Sequence, residues 1–544
     1  MGVKRKNDVL WMARAFILLS TLLHPHKLHM KKVLFISFLL ITMMLTACAA
    51  PALPAATPAS PASEATATPE AAESATGTPV QSASPITLTV LYTNDEHGWM
   101  LGKEEGSGAA EMMGLWREKF GYDPADPRFI VLSGGDNWTG PAVSTWFKGE
   151  SMVEVMNAMG YDASAVGNHE FDFGLDVLKA RATQADFPYL AANLRNKSDG
   201  QVPTDLGVAP YIILDAGGVR VGVIGLANVG TPGVTNPANV SGFDFDPYVE
   251  TLREVVPQAR ADGAEIILVA SHLCNEELRA LAPAVKDLGV TLFGGGHCHQ
   301  ILKSQAGDAV LLASGSYLQN TAWAVIDYNP QTKEARVSDY GVLPNTGGRA
   351  DADVASIAHK WRQEADAALG DPIGYLAETL PQRRKAMRAL ITETWLLGYP
   401  NADVAITNLG GMRDDLHAGP VSIGDILSVM PFDNVLIDVK LTGAQLREVI
   451  AGQEGRAAVG GMHRKGLGWV LNKSGEPLDD DAVYHVLVND FMYAGGDHYD
   501  LLAEADPDAY NTSIDWRQPV IDWIIAQNST PEQPLDEAIE RLGD

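Results

Sequence analysis

From residue 86 onward, short apolar runs rich in β-branched residues alternate with stretches in which apolar residues recur every three or four positions. The runs at 86–92, 129–132, 163–166, 189–192, 219–224, 265–270, 290–293 and 310–313 have the length and composition of buried strands. Between them, 109–119, 151–159, 175–185, 248–261 and 276–288 carry helical spacing. This alternation predicts an α/β layered domain over residues 86–345. A loop at 345–348 containing two glycines then opens a helical linker within 346–370, and a smaller α+β unit follows over 371–544.

Before residue 86 the pattern is different. Residues 30–50 read MKKVLFISFLLITMMLTACAA: two lysines, an apolar run over 33–45, then small residues. That is the layout of an export signal, and the run is short for a membrane span. Leu45-Thr46-Ala47-Cys48 resembles a bacterial lipobox, which makes Cys48 the expected lipidated first residue of the mature chain. A second apolar stretch at 9–23 precedes Met30, and Met30 is the expected translational start. Residues 48–85 are dominated by Ala, Pro, Ser and Thr and contain no aromatic residue. Such a segment buries too little apolar surface to offset ordering, so it is expected to be a flexible tether between membrane and enzyme.

Composition restricts the function further. The chain has 544 residues, 68 acidic against 40 basic, for a formal charge of −28. Removing residues 1–47 takes away seven basic residues and one acidic residue, which leaves 33 against 67 and a net −34. A surface this acidic repels phosphate backbones and excludes non-specific nucleic-acid binding. An anionic substrate therefore needs a local positive device. The three cysteines, Cys48, Cys274 and Cys298, make neither a disulfide framework nor a zinc-finger spacing.

The candidate chemistry sits where the strands end. The run 86–92 leads into Thr93-Asn94-Asp95-Glu96-His97-Gly98, and 129–132 into Gly134-Gly135-Asp136-Asn137. The run 163–166 leads into Gly167-Asn168-His169-Glu170-Phe171-Asp172, 265–270 into Ser271-His272, and 290–293 into Gly294-Gly295-Gly296-His297-Cys298-His299. Loops at the carboxyl ends of strands in α/β sheets converge on one crevice. Five such clusters of Asp, Asn and His fit two adjacent divalent ions sharing a carboxylate, with imidazoles favouring zinc, iron or manganese over magnesium or calcium.

The set Asp95/His97, Asp136, Asn168-His169, His272 and His297-x-His299 resembles the signature of the calcineurin-like metallophosphoesterases. The forms TNDEHG, GNHEFDFG and GGGHCH are similar to those of the bacterial exported 5′-nucleotidase family. The resemblance implies an α/β/β/α sandwich followed by a smaller nucleotide-binding domain. It implies that Asp95, His97 and His299 hold one metal, Asn168, His272 and His297 the other, and that Asp136 bridges them. It also implies a catalytic His169 with Asp172 as its carboxylate partner, and in-line attack on phosphorus by a metal-activated water.

The second unit extends the resemblance. It carries Asn408-Leu409-Gly410-Gly411-Met412-Arg413, Pro431-Phe432-Asp433-Asn434, and a segment running from Phe491 to Asp497, similar to the family's N-x-G-G-x-R, P-F-x-N and F-x(5)-D elements. These imply a base held by Phe432 and Phe491, ribose contacts from Asp497, phosphate contacts from Arg413, and further substrate contacts from Asn408 and Asn434. Arg384 and Arg388 have the spacing of the family's additional phosphate-binding arginines. His498 replaces the glycine of the usual G-G-D-G-Y, and the G-N-L element is missing from 382–393. Cys274 and Cys298 are expected to be small buried residues, with direct metal ligation or a mutual disulfide as the alternatives. The function expected is release of phosphate from extracellular 5′-nucleotides by an exported, lipid-anchored enzyme with no obligate protein partner. The competing expectations are 2′,3′-cyclic nucleotide phosphodiesterase, nucleotide-sugar diphosphatase and a non-catalytic nucleotide-binding surface lipoprotein.

Overall fold

The computed structural model describes residues 85–543. The export signal, Cys48 and the tether up to residue 84 lie outside the described residues.

All eight strands read from the sequence form, and their central pairings are parallel. In one sheet Ile86–Thr93, Phe129–Ser133, Ala163–Ala165, Tyr189–Leu190 and Val208–Ala209 run side by side. In the other, Val219–Leu226, Ile266–Ser271, Leu292–Gly294 and Ala309–Ser314 do the same. Antiparallel strands complete the edges: Asn320–Asn329 and Glu334–Pro344 on the first sheet, Tyr211–Ala216 and Ile301–Ala306 on the second.

The two sheets face each other across a core that includes Leu88, Val90, Ile130 and Leu132 on one side and Val221, Val223, Ile266 and Leu268 on the other. Helices Ala109–Phe120, Glu150–Met159 and Leu175–Gln184 cover the outer face of the first sheet, where Trp116, Met152 and Met156 share a cluster with Leu91 and Val131. Helices Tyr248–Ala261 and Asn275–Ala284 cover the second sheet through Leu252, Val255, Leu278 and Leu281. This is the expected α/β/β/α sandwich. Its central strands are buried on both faces and hence apolar throughout, which is why they are visible in the sequence. The helix expected over 276–288 ends at Ala284, after Pro283, and continues only as a 3₁₀ turn at Lys286–Leu288.

Helix Ala352–Leu369 starts on Asp351, whose carboxylate accepts from the backbone N–H groups of Asp353 and Val354. It buries Val354, Ala358, Trp361 and Ala365 in the same cluster as Trp116 and Met156, and Trp361 Nε1 donates to Glu154 at 2.8 Å. The segment read as a linker is therefore packed onto the sandwich.

Beyond Gly370 a five-stranded sheet forms in the order Ala457–Gly460, Val404–Asn408, Val483–Asn489, Val435–Thr442, Tyr510–Asp515. Helices Lys385–Gly398 and Gln518–Gln527 lie in a cluster on one face through Leu390, Trp395, Val520 and Ile524. Helix Gly443–Gly452 packs Leu446, Val449 and Ile450 on the other. This unit meets the sandwich through helix Ile423–Val429, with Leu427 against Ala142 and Leu369 and Ser428 Oγ accepting from Ala142 N at 3.0 Å.

The two sheets of the sandwich approach closely at Gly225, where an added Cβ would lie 2.2 Å from the Leu190 backbone. Backbone cannot yield as a side chain does, so Gly225→Ala is expected to cost about 1–3 kcal/mol of stability by overpacking. Chemical denaturation checks it, and an unchanged midpoint and slope would contradict the close approach.

Candidate active site

Five strand ends deliver the expected residues to one place. Asp95 and His97 follow Ile86–Thr93, Asp136 follows Phe129–Ser133, and Asn168 and His169 follow Ala163–Ala165. The facing sheet supplies His272 after Ile266–Ser271 and His297 and His299 after Leu292–Gly294. Three overlapping trios result: Asp95, His97 and His299; His97, Asp136 and His169; Asp136, His272 and His297. In each trio the donor atoms lie within 4.8 Å of one another. Asp136 belongs to two of them.

The hydrogen bonds around the rings settle which nitrogen faces inward. His97 Nδ1 donates to Thr139 O at 2.9 Å and His272 Nδ1 to Gly134 O at 2.8 Å, which leaves each Nε2 lone pair for the centre. There His97 Nε2 stands 3.1 Å from His299 Nε2. His272 Nε2 stands 2.9 Å from Asp136 Oδ2, 3.2 Å from Asn168 Oδ1 and 3.2 Å from His297 Nδ1. Lone pairs converging in this way fit divalent cations.

The titration behaviour agrees. Burial, helped by Arg413, holds His97 well below its usual value and pushes His299 down to about 3. Burial, helped by His272, brings His297 to about 4, so all three rings are in the neutral, ligating form. Burial lifts Asp95 to about 7, so its carboxylate needs a nearby cation to hold its charge at neutral pH. Burial also opposes charge on Asp136, but His272 and His169 outweigh it and hold that carboxyl well below the usual range. Burial lowers His272 too, yet Asp136 raises it to about 10. A divalent ion between the two would displace that proton.

The backbone is bent to make this possible. Asp95, His97, Asp136, His297 and His299 all have φ between 46° and 68°, the left-handed region that side chains rarely occupy. Gly167 passes so close to Asp136 that an added Cβ would lie 2.2 Å from Oδ1.

His169 stands at the rim. Its Nδ1 is 2.6 Å from Asp172 Oδ2, and Thr235 Oγ1 donates to the other Asp172 oxygen at 3.3 Å. Burial lowers the ring's pKa, but Asp172 and Asp136 together bring it above its usual value. The same cavity, of about 210 Å³, is lined by Asp136, Asn168, His169, Asp172, His297 and His299 from the sandwich. From the unit beyond Gly370 it is lined by Asn408, Arg413, Phe432, Asn434, Phe491 and Asp497. The Phe432 ring stacks on His169 at 5.7 Å between centroids, and Arg413 Nη2 lies 3.3 Å from His97 Nε2. Asn408 Nδ2 donates to Asp497 Oδ2 at 2.7 Å, while Asn408 Oδ1 accepts from Asn489 at 3.0 Å, so Asn408 orients Asp497. His498, at the position of the usual glycine, has φ 64° and places its ring beside Gly233 of the sandwich.

Two expectations change. Arg384 has an extended backbone ahead of helix Lys385–Gly398, so its four-residue spacing from Arg388 does not put the two on one helical face. Arg383, not Arg384, lines a neighbouring 650 Å³ chamber together with Arg388, Arg413 and Arg456. Cys274 and Cys298 are not two small buried thiols: they form a disulfide, with Cys298 exposed. They follow neighbouring strands, which brings their Cα atoms to 5.2 Å.

Sequence reading passed over Glu170 and Thr235. Glu170 is fully buried and accepts from the backbone N–H groups of Asp136, Asn137 and Gly167 at 2.6–2.9 Å, tying two ligand loops together. Its signal was its place inside the Asn168–Asp172 cluster. Thr235 lies on the loop after Val219–Leu226, a strand end without the His and Asp residues that marked the others.

Residues 372–504 match the family model of the 5′-nucleotidase C-terminal domain. The chain is 26% identical over 484 residues to protein UshA of Yersinia enterocolitica, covering 76% of this chain and 86% of that protein. It is 25% identical over 505 residues to a 5′-nucleotidase of Vibrio cholerae, covering 81% and 90%. Its fold is similar to the crystal structure of a 5′-nucleotidase precursor from Thermus thermophilus, with a TM-score of 0.68, 24% identity, and 82% and 97% of the two chains covered.

Gly167→Ala is expected to push Asp136 off its position and lower the divalent metal content of the purified protein, with far-UV circular dichroism unchanged. Elemental analysis checks it. Wild-type metal content in the variant would show that Asp136 is not where the ions are held.

Proposed function

We propose that this chain is a two-metal phosphohydrolase releasing phosphate from 5′-nucleotides, a reading supported by an α/β/β/α sandwich followed by residues 372–504 that match the 5′-nucleotidase C-terminal domain. One observation carries this reading: the metal-competent cluster and the Phe432, Phe491 and Asp497 group line a single cavity. Asp95, His97, His299 and Asp136 would hold one divalent ion of the zinc, manganese or iron type, and Asn168, His272, His297 and Asp136 the other. Two such ions neutralise phosphoryl charge and make a water molecule nucleophilic near neutral pH.

The remaining work falls to side chains. Arg413 reaches the cluster from the C-terminal unit and offers a planar guanidinium to a phosphoryl oxygen. His169, held by Asp172 through Nδ1, presents Nε2 to the cavity and donates to the oxygen that gains charge as phosphorus is attacked. Phe432 and Phe491 supply faces on which a base stacks, and Asp497, with one oxygen engaged by Asn408, accepts from ribose hydroxyls. The arginine-lined chamber beside the cavity favours a second reading, a nucleotide-sugar diphosphatase, whose substrate has a second phosphate to place there.

The chain is proposed to work outside the cytoplasm, carried there by the signal ending near Cys48 and held by a lipid on that residue. The Cys274–Cys298 bridge supports an oxidising location. Among the described residues no helix is long and apolar enough to cross a membrane.

Assays of phosphate release from 5′-nucleotides and nucleotide sugars, with and without EDTA, test the activity. Chelation should abolish it, and a chelator-insensitive rate would refute the two-metal reading. His169→Asn should keep the metal content while turnover falls by roughly 10²–10⁴-fold. Replacing Phe432 or Phe491 by Ala should chiefly raise KM, each ring contributing about 1–3 kcal/mol of stacking. If KM stays the same in both phenylalanine variants, the base lies elsewhere.

A further inference from the structure

The disulfide lies inside the ligand loops. Cys274 is two residues past His272, and Cys298 sits between His297 and His299. The second loop is held by hydrogen bonds as far as Cys298: Gly296 N donates to Leu273 O at 2.9 Å, His297 N to Asp95 Oδ1 at 3.1 Å and Cys298 N to Gly296 O at 2.8 Å. This stretch carries two ligand rings on left-handed backbone, φ 68° at His297 and 54° at His299. Residues other than glycine stay in that region only where their surroundings over-determine it. The His299 side chain is also 30% exposed, against 1% for His97 and none for His272. The bridge enters at the one residue between the two strained histidines. Its other end is firm: Cys274 caps helix Asn275–Ala284, and its N–H donates to Glu277, whose second oxygen accepts from Tyr248 OH at 3.1 Å.

We propose that the Cys274–Cys298 disulfide is a positioning element for the metal-ligating rings of His297 and His299, and that its reduction by a dithiol loosens the site's hold on metal. The proposal rests on the two-metal reading above and adds to it a redox control on metal retention. The exchange is balanced: the dithiol gives up two electrons and two protons and closes to a disulfide, while the Cys274–Cys298 S–S bond breaks to two thiols. Cys298 is exposed and open to attack. Once the bridge is open, the tripeptide is free to leave the left-handed region and carry His299 away from the point it shares with Asp95 and His97.

The test follows transfer of metal from the loaded protein to a chromogenic chelator, well below the melting temperature. It compares the oxidised protein, the protein after dithiothreitol, and Cys274→Ser/Cys298→Ser, which lacks both bridge thiols. Release from the serine variant is expected to be on the order of tenfold to a hundredfold faster than from the oxidised protein. The reduced wild type should match the variant, and dithiothreitol should leave the variant's own rate unchanged, which separates the bridge from chelation by the reagent. Cobalt-loaded protein should show an altered visible absorption band when the bridge is absent. A bridge that merely stabilises the fold would lower the melting temperature and leave release within about twofold of wild type, and that result overturns the proposal. Release is read without substrate, so rapid loss from the variant supports the positioning role even if no nucleotide is hydrolysed. A chain that binds no divalent metal in any form overturns it together with the phosphohydrolase reading.

Discussion

Asp136 keeps its negative charge while almost wholly removed from water, and much of the site can be understood as the means of allowing that. A buried carboxylate is costly unless positive partners and hydrogen-bond donors reach it. Here the partners come from more than one strand end: His272 from the facing sheet, His169 from its own, and the His169 backbone N–H on Oδ1 at 2.8 Å. Only a sandwich whose parallel strands all point their carboxyl ends at the same edge brings those groups together. The left-handed backbone at five donor residues is the local cost of the same demand. It is spread over several loops, and Glu170 joins two ligand loops through three backbone N–H groups.

Much of this was legible in the sequence, for definable reasons. The central strands are apolar on both faces, so they stand out as continuous runs, and the polar clusters that follow them are short and rich in glycine. Antiparallel strands such as Asn320–Asn329 were harder to see because one side is only partly buried and the residues alternate. Arg383 rather than Arg384 shares the chamber wall with Arg388, and sequence spacing does not reveal this because the helix begins only at Lys385. The bridge between Cys274 and Cys298 could not be chosen over free thiols without knowing that their two strands are neighbours. Thr235 was hidden by its chemistry, since a hydroxyl after a strand is an ordinary loop residue until the Asp172 oxygen it meets is located.

The two halves of the molecule are not independent modules at the cavity. Phe432 stacks on His169, Arg413 reaches His97, and the His498 ring lies beside Gly233. The residues that would recognise a nucleotide thus touch those that would act on its phosphate. Arg413 is one of the groups keeping His97 neutral, so a residue of the C-terminal unit helps set the state of a ligand in the sandwich.

Helix Ala352–Leu369 has a consequence for how such a chain can be recombined. By position it belongs to neither half, yet Val354, Ala358, Trp361 and Ala365 complete the apolar layer over the first sheet. A chimera cut ahead of this helix would strip that layer and leave Trp116 and its neighbours facing water. The seam that respects the packing lies at Gly370, after the last buried turn. An exchange made there carries the base-binding surface across whole, and compatibility between parent sequences then depends on the contacts that Phe432, Arg413, His498, Leu427, Ser428 and Asp414 make with the receiving sandwich and its last helix.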